Sequence, residues 1–162
     1  MRDRLRNDSS FKAIAPILKP IGLTLVDVRR DELSSSVRYT ITITNEDHTA
    51  GIDECSKAHR LLQTRLTLLE NDRDIDMEVS TPGIQRNIRD VYEFEVFTSR
   101  RCRIYESDEN GWIVGIIESA DEHQVTLAQA EREDNKEKIG THQIPYSRIQ
   151  KAKLTYAWED IS

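Results

Sequence analysis

The chain has 162 residues, of which 37% are hydrophobic and 32% charged, and its net charge at pH 7 is −6. This length allows one medium core or two small ones, since domains usually contain roughly 50 to 200 residues. No apolar run approaches the roughly 20 residues that a membrane helix requires, and the first residues lead into no signal-peptide core. We therefore expect a cytoplasmic protein. The negative charge argues against a histone-like binder, because nonspecific affinity for nucleic acid depends on many cationic phosphate contacts.

The N-terminal third predicts a helix followed by a hairpin. Apolar residues recur every three or four positions over Phe11–Ile21, after the capping candidates Asp8–Ser10. Pro16 should kink this helix, and the Pro-Ile-Gly that follows should end it. Strand-like patterns then occupy Leu23–Arg30 and Val37–Thr44. In the second of these strands apolar residues alternate with Arg and Thr, which predicts a strand with one wet face.

A second helix and a third strand complete the first half of the chain. Asp53 and Glu54 would lie in the first turn of the helix, where carboxylates interact favourably with the helix dipole. The strand is expected at Ile75–Val79, with apolar and acidic residues on opposite faces. The expected apolar positions of the helix follow a three-four spacing: Ile52, Cys55, His59, Leu62, Leu66 and Leu69.

The second half has a different pattern, with at most a short helix at Val91–Phe97 and then several brief strands separated by turn residues. Five short strands in about 60 residues are typical of a small barrel of the SH3 or Sm kind. Gly115, inside an apolar strand, indicates a sharp bend. The expected strands are Arg101–Tyr105, Trp112–Glu118, Gln124–Leu127, Ile139–Ile144 and Ala152–Tyr156.

These patterns predict an α+β protein with two domains. Residues 1–83 would form an α/β domain of helix, strand, strand, helix and strand, which resembles the nucleic-acid-binding KH module but lacks its GxxG phosphate clamp. Residues 84–97 would form a linker with a short helix. Residues 98–162 would form the SH3-like or Sm-like barrel domain.

The sequence offers little that predicts catalysis. The four histidines are scattered without the ligand spacing of a zinc site, and no Walker motif or GxGxxG is present. Cys55 and His59 lie one helical turn apart, which could supply two metal ligands or simply reflect helix packing. Asp53 and Glu54 are explained by helix capping. Cys55 and Cys102 are expected as buried thiols rather than a disulfide. We expect no enzyme activity, no cofactor and no metal.

Arginine supplies 16 of the 23 basic residues, and several basic residues cluster. A guanidinium can bind a phosphate through two parallel hydrogen bonds, which an ammonium cannot. Such clusters are also typical of an ordinary solvated surface, so both interpretations stay open. The clusters are Arg2/Arg4/Arg6, Arg29/Arg30, Arg86/Arg89, Arg100/Arg101/Arg103 and Lys151/Lys153.

A tight corner is predicted after the third strand, at Thr81-Pro82-Gly83. Pro presets such a turn, and Gly83 would take the positive φ of a type II turn. Ser80, Thr81 and the turn amides could hold an anion such as a phosphate, with Arg86 beside it. Alternatively, the corner only joins the two domains, and the hydroxyls stabilise it through local hydrogen bonds.

This corner lies in the segment Met77-Glu-Val-Ser-Thr-Pro-Gly-Ile-Gln-Arg86. The segment is similar to the signature of the RimP family of bacterial ribosome maturation factors, in which a strand leads into Val-Ser-Ser-Pro-Gly-Leu-Asp-Arg-Pro-Leu. The present sequence departs from that pattern at Gln85 and Asn87 and keeps Arg86. Other segments resemble the family in the same order along nearly the whole chain: 22–29, 51–56, 94–97, 111–115 and 144–154.

The resemblance implies an N-terminal α/β domain, a C-terminal SH3-like barrel and no catalytic residue. It also implies binding to the free small (30S) ribosomal subunit during its late maturation. Basic patches would contact ribosomal RNA and acidic faces would contact basic ribosomal proteins. We expect a monomer that has no membrane association and no small-molecule substrate.

We expect the ribosome contact on the basic residues of the barrel and on the corner. The alternative for these residues is an intramolecular role, in which they pair with acidic neighbours across the joint between the two domains. Two other functions are compatible with the sequence: an Sm-like RNA-binding chaperone and a protein-binding adaptor. The expected contact residues are Arg100, Arg101, Arg103, Lys151 and Lys153 in the barrel, and Ser80, Thr81, Pro82, Gly83 and Arg86 at the corner.

Overall fold

The computed structural model describes residues 1–156, which form two compact units. One unit is Arg4–Pro82, and the other begins at Gly83 and includes Met1–Asp3. The last six residues of the predicted domain 98–162 lie outside the described residues. The first unit combines helices and strands and the second is rich in strands, so the predicted α+β class is confirmed.

The N-terminal unit contains a three-stranded sheet in the order β1-β2-β3. Strands β1 (Leu23–Glu32) and β2 (Ser36–Asn45) are antiparallel, and β3 (Asp74–Ser80) runs parallel to β2. Helix α2 (Ile52–Leu69) supplies the crossover that a parallel pair requires. The predicted succession of helix, strand, strand, helix and strand is confirmed in this unit.

Helix α1 (Ser9–Leu18) begins as the sequence predicts. The Asp8 carboxylate accepts a hydrogen bond from the Phe11 amide at 3.0 Å and thereby caps the first turn. The helix continues through Pro16 and passes into a 3-10 turn at Lys19–Ile21. Gly22 then adopts φ +76°, a left-handed conformation that glycine reaches without steric cost, and the chain enters β1.

The expected apolar face of α2 is only partly correct. Leu62 and Leu66 are buried together with Ala58, which the sequence analysis did not include. In contrast, Ile52 is 85% exposed and Leu69 is 56% exposed. A three-stranded sheet covers the middle of an 18-residue helix but not its two ends, so part of the apolar stripe stays in contact with water.

The wet face predicted for β2 is also only partly observed. Arg38 is exposed, whereas Thr42 and Thr44 are buried. β2 is the central strand of the sheet, with a neighbour on each side. Threonine tolerates burial at such a position because its methyl group packs as an apolar group would.

The second unit contains five antiparallel strands in the order β7-β6-β5-β4-β8. Among residues 1–156 no ladder joins β7 to β8, so closure into a barrel stays a prediction. No helix of the described chain is long and apolar enough to cross a membrane. The elements of this unit are α3 (Tyr92–Val96), β4 (Arg101–Glu106), β5 (Gly111–Ala120), β6 (Gln124–Arg132), β7 (Lys138–Pro145) and β8 (Ile149–Leu154).

The segment 84–97, expected as a linker, is hydrogen-bonded to the strands of this unit. The Ile88 amide donates to the Ala152 carbonyl at 2.9 Å, and the Leu154 amide donates to the Arg86 carbonyl at 2.8 Å. Phe94 and Phe97 are fully buried. This segment therefore contributes to the core of the second unit.

The bend expected at Gly115 has a clear packing cause. The pairing of β5 with β6 shifts register between Val114 and Ile116, as at a β-bulge. A Cβ at Gly115 would lie 3.1 Å from the Ala128 carbonyl oxygen and 3.2 Å from the Leu127 Cβ. Only glycine leaves enough space for the neighbouring strand at this point.

Candidate nucleic-acid interface

Four of the basic residues predicted for ribosome contact lie on two neighbouring strands. Arg103 on β4 is opposite Lys153 on β8, and Tyr105 is opposite Lys151. Arg101 lies two residues before Arg103, so strand alternation places it on the same face. The residues that alternate with these basic residues along the two strands point to the core: Cys102, Ile104, Ala152 and Leu154 are buried. We call the surface formed by Arg101, Arg103, Lys151 and Lys153 the basic face.

Arg103 is held in one orientation by two side chains, those of Glu133 and Trp112. Its Nε and Nη2 donate to the two carboxylate oxygens of Glu133 at 2.9 and 2.8 Å. Its guanidinium carbon lies 4.0 Å from the centre of the Trp112 ring, a cation–π arrangement. Tyr105 contacts the same tryptophan edge to face, with ring centres 5.4 Å apart. The Arg103–Glu133 pair lies within one unit, so the pairing across the joint between the domains stays a prediction.

Trp112, Tyr105 and Glu133 are candidate functional residues that the sequence analysis did not identify. Glu133 lies 30 positions from Arg103 in the chain, in a polar loop that carries no periodic signal. Only the pairing register of β4, β5 and β6 brings the two side chains together. Aromatic and basic side chains side by side are typical of RNA-binding surfaces, where rings stack on bases and cations contact phosphates.

A concavity of about 350 Å³ adjoins the basic face. It contains three cationic side chains, those of Arg103, Lys136 and Lys153, against one carboxylate, that of Glu133. The balance is therefore positive, although the chain as a whole is acidic. A local positive concavity attracts phosphate more strongly than the net charge suggests. Its remaining lining residues are Gln85, Val114, Leu154 and Thr155.

Arg100 is not placed on the basic face. It precedes β4, and its amide donates to the Phe97 carbonyl at 2.9 Å. Its carbonyl in turn accepts from the Ile117 amide. Strand alternation assigns it to the side opposite Arg101. The side chains that the structure brings together are thus those of the other four residues.

The turn at the corner differs from the predicted one. Gly83 does not have the positive φ expected of a type II turn, and a Cβ there would meet nothing within 4 Å. Instead, the Arg86 amide donates to the Gly83 carbonyl at 3.2 Å, so the turn spans Gly83–Arg86. The observed turn begins two residues later than the predicted one, which would have begun at Thr81. A residue before proline favours an extended conformation, so the chain approaches the turn extended.

Arg86 interacts with a buried carboxylate. Its Nε donates to Glu93 at 2.6 Å, and the Glu93 side chain is completely buried. The second Glu93 oxygen accepts hydrogen bonds from the amides of Arg89 and Asp90 at 3.0 and 3.2 Å. A buried carboxylate requires such partners, so Arg86 has a clear role in folding.

Ser80 and Thr81 line a groove in the N-terminal unit, with a volume of about 700 Å³. The groove lies between the end of β3 and the first half of α2, and Cys55 and His59 also line it. Glu54 accepts a hydrogen bond from the Gly51 amide at 3.0 Å, which confirms its predicted role at the helix N-terminus. That bond lowers the pKa of Glu54 below its ordinary value.

Both cysteines are free thiols, but the expected burial is complete only for Cys102. Cys102 is fully buried, and burial raises the pKa of its thiol to about 12. Cys55 is half-buried; burial, and secondarily the charge of Glu54, raises the pKa of its thiol. Within residues 1–156, no group of three or more His, Cys, Asp or Glu side chains has a geometry suited to a metal ion.

The fold and these surfaces define an α+β protein with a helix-covered three-stranded sheet and a second, five-stranded sheet that carries the basic face. Residues 13–85 match the model of the RimP N-terminal domain. The chain is 22% identical to the ribosome maturation factor RimP of Borrelia garinii subsp. bavariensis, over 92% of this chain and 95% of that protein. It is 24% identical to the ribosome maturation factor RimP of Borrelia turicatae, over 92% and 96% of the two chains. The chain therefore carries the N-terminal domain of the RimP family and is similar to proteins of that family along most of its length.

Proposed function

We propose that this protein is a non-catalytic ribosome maturation factor that binds the free small ribosomal subunit in the cytoplasm and assists its assembly. The observation that carries the proposal is the extent of the similarity: relatives named as ribosome maturation factors align over 92% of this chain and at least 95% of their own length. Both units thus have counterparts in those relatives. We further propose that the protein acts as a monomer and that its five-stranded sheet serves as a small SH3-like or Sm-like barrel.

The basic face is the proposed contact with ribosomal RNA. Lys151 is exposed and Lys153 lines the positive concavity, so both side chains are suited to phosphate contact. Binding through a few cations is weaker and more sensitive to salt than the binding of a permanent ribosomal protein. This property suits a factor that must dissociate once the subunit is mature.

Sedimentation with free small subunits, free large subunits and joined ribosomes tests the proposal. The wild-type protein should sediment selectively with free small subunits and lose affinity as salt rises. Each phosphate contact that is lost should make the slope of log K against log salt shallower by about 0.7 to 0.9. Equal binding to all particles, or to none, would contradict the proposal.

The double variant Lys151→Glu/Lys153→Glu tests the basic face within this proposal. We expect affinity for the small subunit to fall at least about tenfold, since two phosphate contacts become repulsive. Lys12→Glu/Lys19→Glu is a matched control, because both lysines are exposed on or just after α1 and the net charge changes equally. Lys151 and Lys153 are better targets than Arg103, because replacement of Arg103 would also disrupt its bond to Glu133.

A second candidate function is that of an Sm-like RNA-binding chaperone, favoured by the cluster of Arg103, Trp112 and Tyr105. Binding to bare oligonucleotides in the absence of ribosomal protein would support it. A protein-binding adaptor is the third class, and complexes that survive ribonuclease treatment would favour it.

A further inference from the structure

Within the described residues, the N-terminal sheet has two edge strands, β1 and β3. β3 pairs with β2 on one side and is the last strand of the sheet on the other. Along such an edge, alternate residues direct N–H and C=O groups outward, which makes the edge a template for another extended chain. Addition of a strand to an open edge is a common mode of peptide recognition.

The side chains of β3 indicate which kind of chain fits. Asp74, Asp76 and Glu78 are exposed on one face of the strand, whereas Met77 and Val79 are half-buried on the other. A neighbouring strand places its side chains beside those of β3 on each face. Opposite the carboxylates, Lys or Arg residues are favoured, and opposite Met77 and Val79, apolar residues are favoured. The favoured partner therefore alternates basic and apolar residues.

The apolar face of such a partner would meet the groove at the end of β3. This groove has a volume of about 700 Å³, and its surface is mainly apolar. Ile52, 85% exposed in the first turn of α2, and the half-buried Cys55 lie on one side, and Val79 lies on the other. Covering these side chains would remove apolar surface from water, which favours binding. Edge and groove together thus offer both backbone pairing and side-chain burial.

We propose that the open edge of β3 and the adjoining groove bind an extended segment of a partner protein in which basic and apolar residues alternate. The segment pairs with β3, places its cations beside Asp74 and Glu78, and inserts an apolar side chain between Ile52 and Val79. Asp76 lies between the two acidic residues and already accepts a hydrogen bond from Arg38 of β2 at 2.9 Å. A nucleic-acid strand is disfavoured at this edge, because its phosphates would approach three carboxylates. This protein-binding role goes beyond the proposed function and does not require that the partner be ribosomal.

The probe is an acetylated, amidated octapeptide of alternating valine and lysine, added to the full-length protein. Cys55 reports on occupancy, because it lines the groove and is partly accessible to iodoacetamide. Cys102 is fully buried in the other unit and serves as an internal reference. Saturating peptide should slow alkylation of Cys55 by at least about fivefold, since a bound segment covers the thiol. Alkylation of Cys102 should stay unchanged.

Two control peptides and two protein variants test the specificity of this binding. A peptide of four valines followed by four lysines, and an alternating valine–glutamate peptide, should protect Cys55 much less. Glu78→Lys should weaken binding of the valine–lysine peptide by up to about tenfold, because it places like charges opposite each other. Glu122→Lys, an equal charge change on an exposed turn of the other unit, should bind as the wild type does. Equal protection by all three peptides, or equal binding by both variants, would overturn the proposal.

Discussion

His142 Nε2 lies 2.9 Å from a carboxylate oxygen of Glu106. His142 is on β7 and Glu106 is on β4, and two other strands lie between β7 and β4 in the sheet. In a flat sheet β7 and β4 would be about 14 Å apart, three spacings of about 4.8 Å. The two side chains meet because the sheet is curved, which brings β7 and β4 closer together on its concave side. Glu106 is buried, so the interaction satisfies a carboxylate that has little access to water.

This relationship predicts that His142 stabilises the curl of the second unit. His142→Ala would leave the Glu106 carboxylate buried without this partner, which should lower the free energy of unfolding of this unit by about 1–3 kcal/mol. Amide hydrogen exchange of β4 and β7 at neutral pH measures that change for this unit alone. His123→Ala, on an exposed turn of the same unit, should exchange like the wild type. Equal exchange in the two variants would contradict the role of His142.

Gly115 is expected to be intolerant of any side chain. Gly115→Ala places a methyl group 3.1 Å from a backbone oxygen of β6, and backbone atoms cannot yield as a flexible side chain can. Overpacking of this kind costs about 1–3 kcal/mol. Urea unfolding monitored by Trp112 fluorescence should show the loss. Gly111→Ala is the control, because the nearest atom to its added Cβ is 3.8 Å away; a loss as large there would argue against the steric explanation.

Replacement of Glu93 should destabilise the second unit more strongly. Glu93→Ala leaves the Arg86 guanidinium, 11% exposed, without its buried carboxylate partner, and also removes the acceptor for two backbone amides. Breaking a buried ion pair by removing one partner costs about 3–5 kcal/mol. Hydrogen exchange of the amides of residues 84–97 should report the loss. The exposed Glu118 on β5 of the same unit provides a control, and Glu118→Ala should change exchange little.

The sequence predicted the elements well wherever local chemistry decides them. Asp8 caps the first helix and Gly22 ends the 3-10 turn that follows it, and the alternation along β3 is visible in the printed residues. Burial along α2 was harder to predict. Ile52 continues the apolar stripe, but whether the sheet reaches it depends on where the strands lie.

The basic face was predictable as a cluster but not as an arrangement. Charge clustering in the sequence identifies Arg103 and Lys153, and the register of β4 with β8 then places them opposite each other. The bond of Arg103 to Glu133 and its stacking on Trp112 depend on contacts that are distant in sequence. Such contacts depend on the register in which the strands pair, and the periodicity of the sequence does not specify this register.

The ion-pair cluster of the N-terminal unit should make its stability depend on acid pH. The Glu70 carboxylate accepts from Arg30 at 2.7 Å and from the Tyr39 hydroxyl at 3.2 Å. The bond from Arg30, and secondarily that from Tyr39, lowers the pKa of Glu70 below its ordinary value. Arg73 and Arg30 likewise lower the pKa of Glu32 to about 2.

A pKa that is lower in the folded protein than in the unfolded chain stabilises the fold above the unfolded value and loses this effect as pH falls. The stability of this unit should therefore decrease as pH falls below about 4.5, the range in which unfolded glutamates take up protons. Glu70→Gln should be less stable than the wild type at pH 7 by about 1–3 kcal/mol and should show a shallower decline in acid. Hydrogen exchange of β1 and β2 between pH 3 and 7, corrected for intrinsic rates, measures both effects. Glu46→Gln, on an exposed loop after β2, should follow the wild-type curve, and a Glu70→Gln curve parallel to the wild type would refute the assignment.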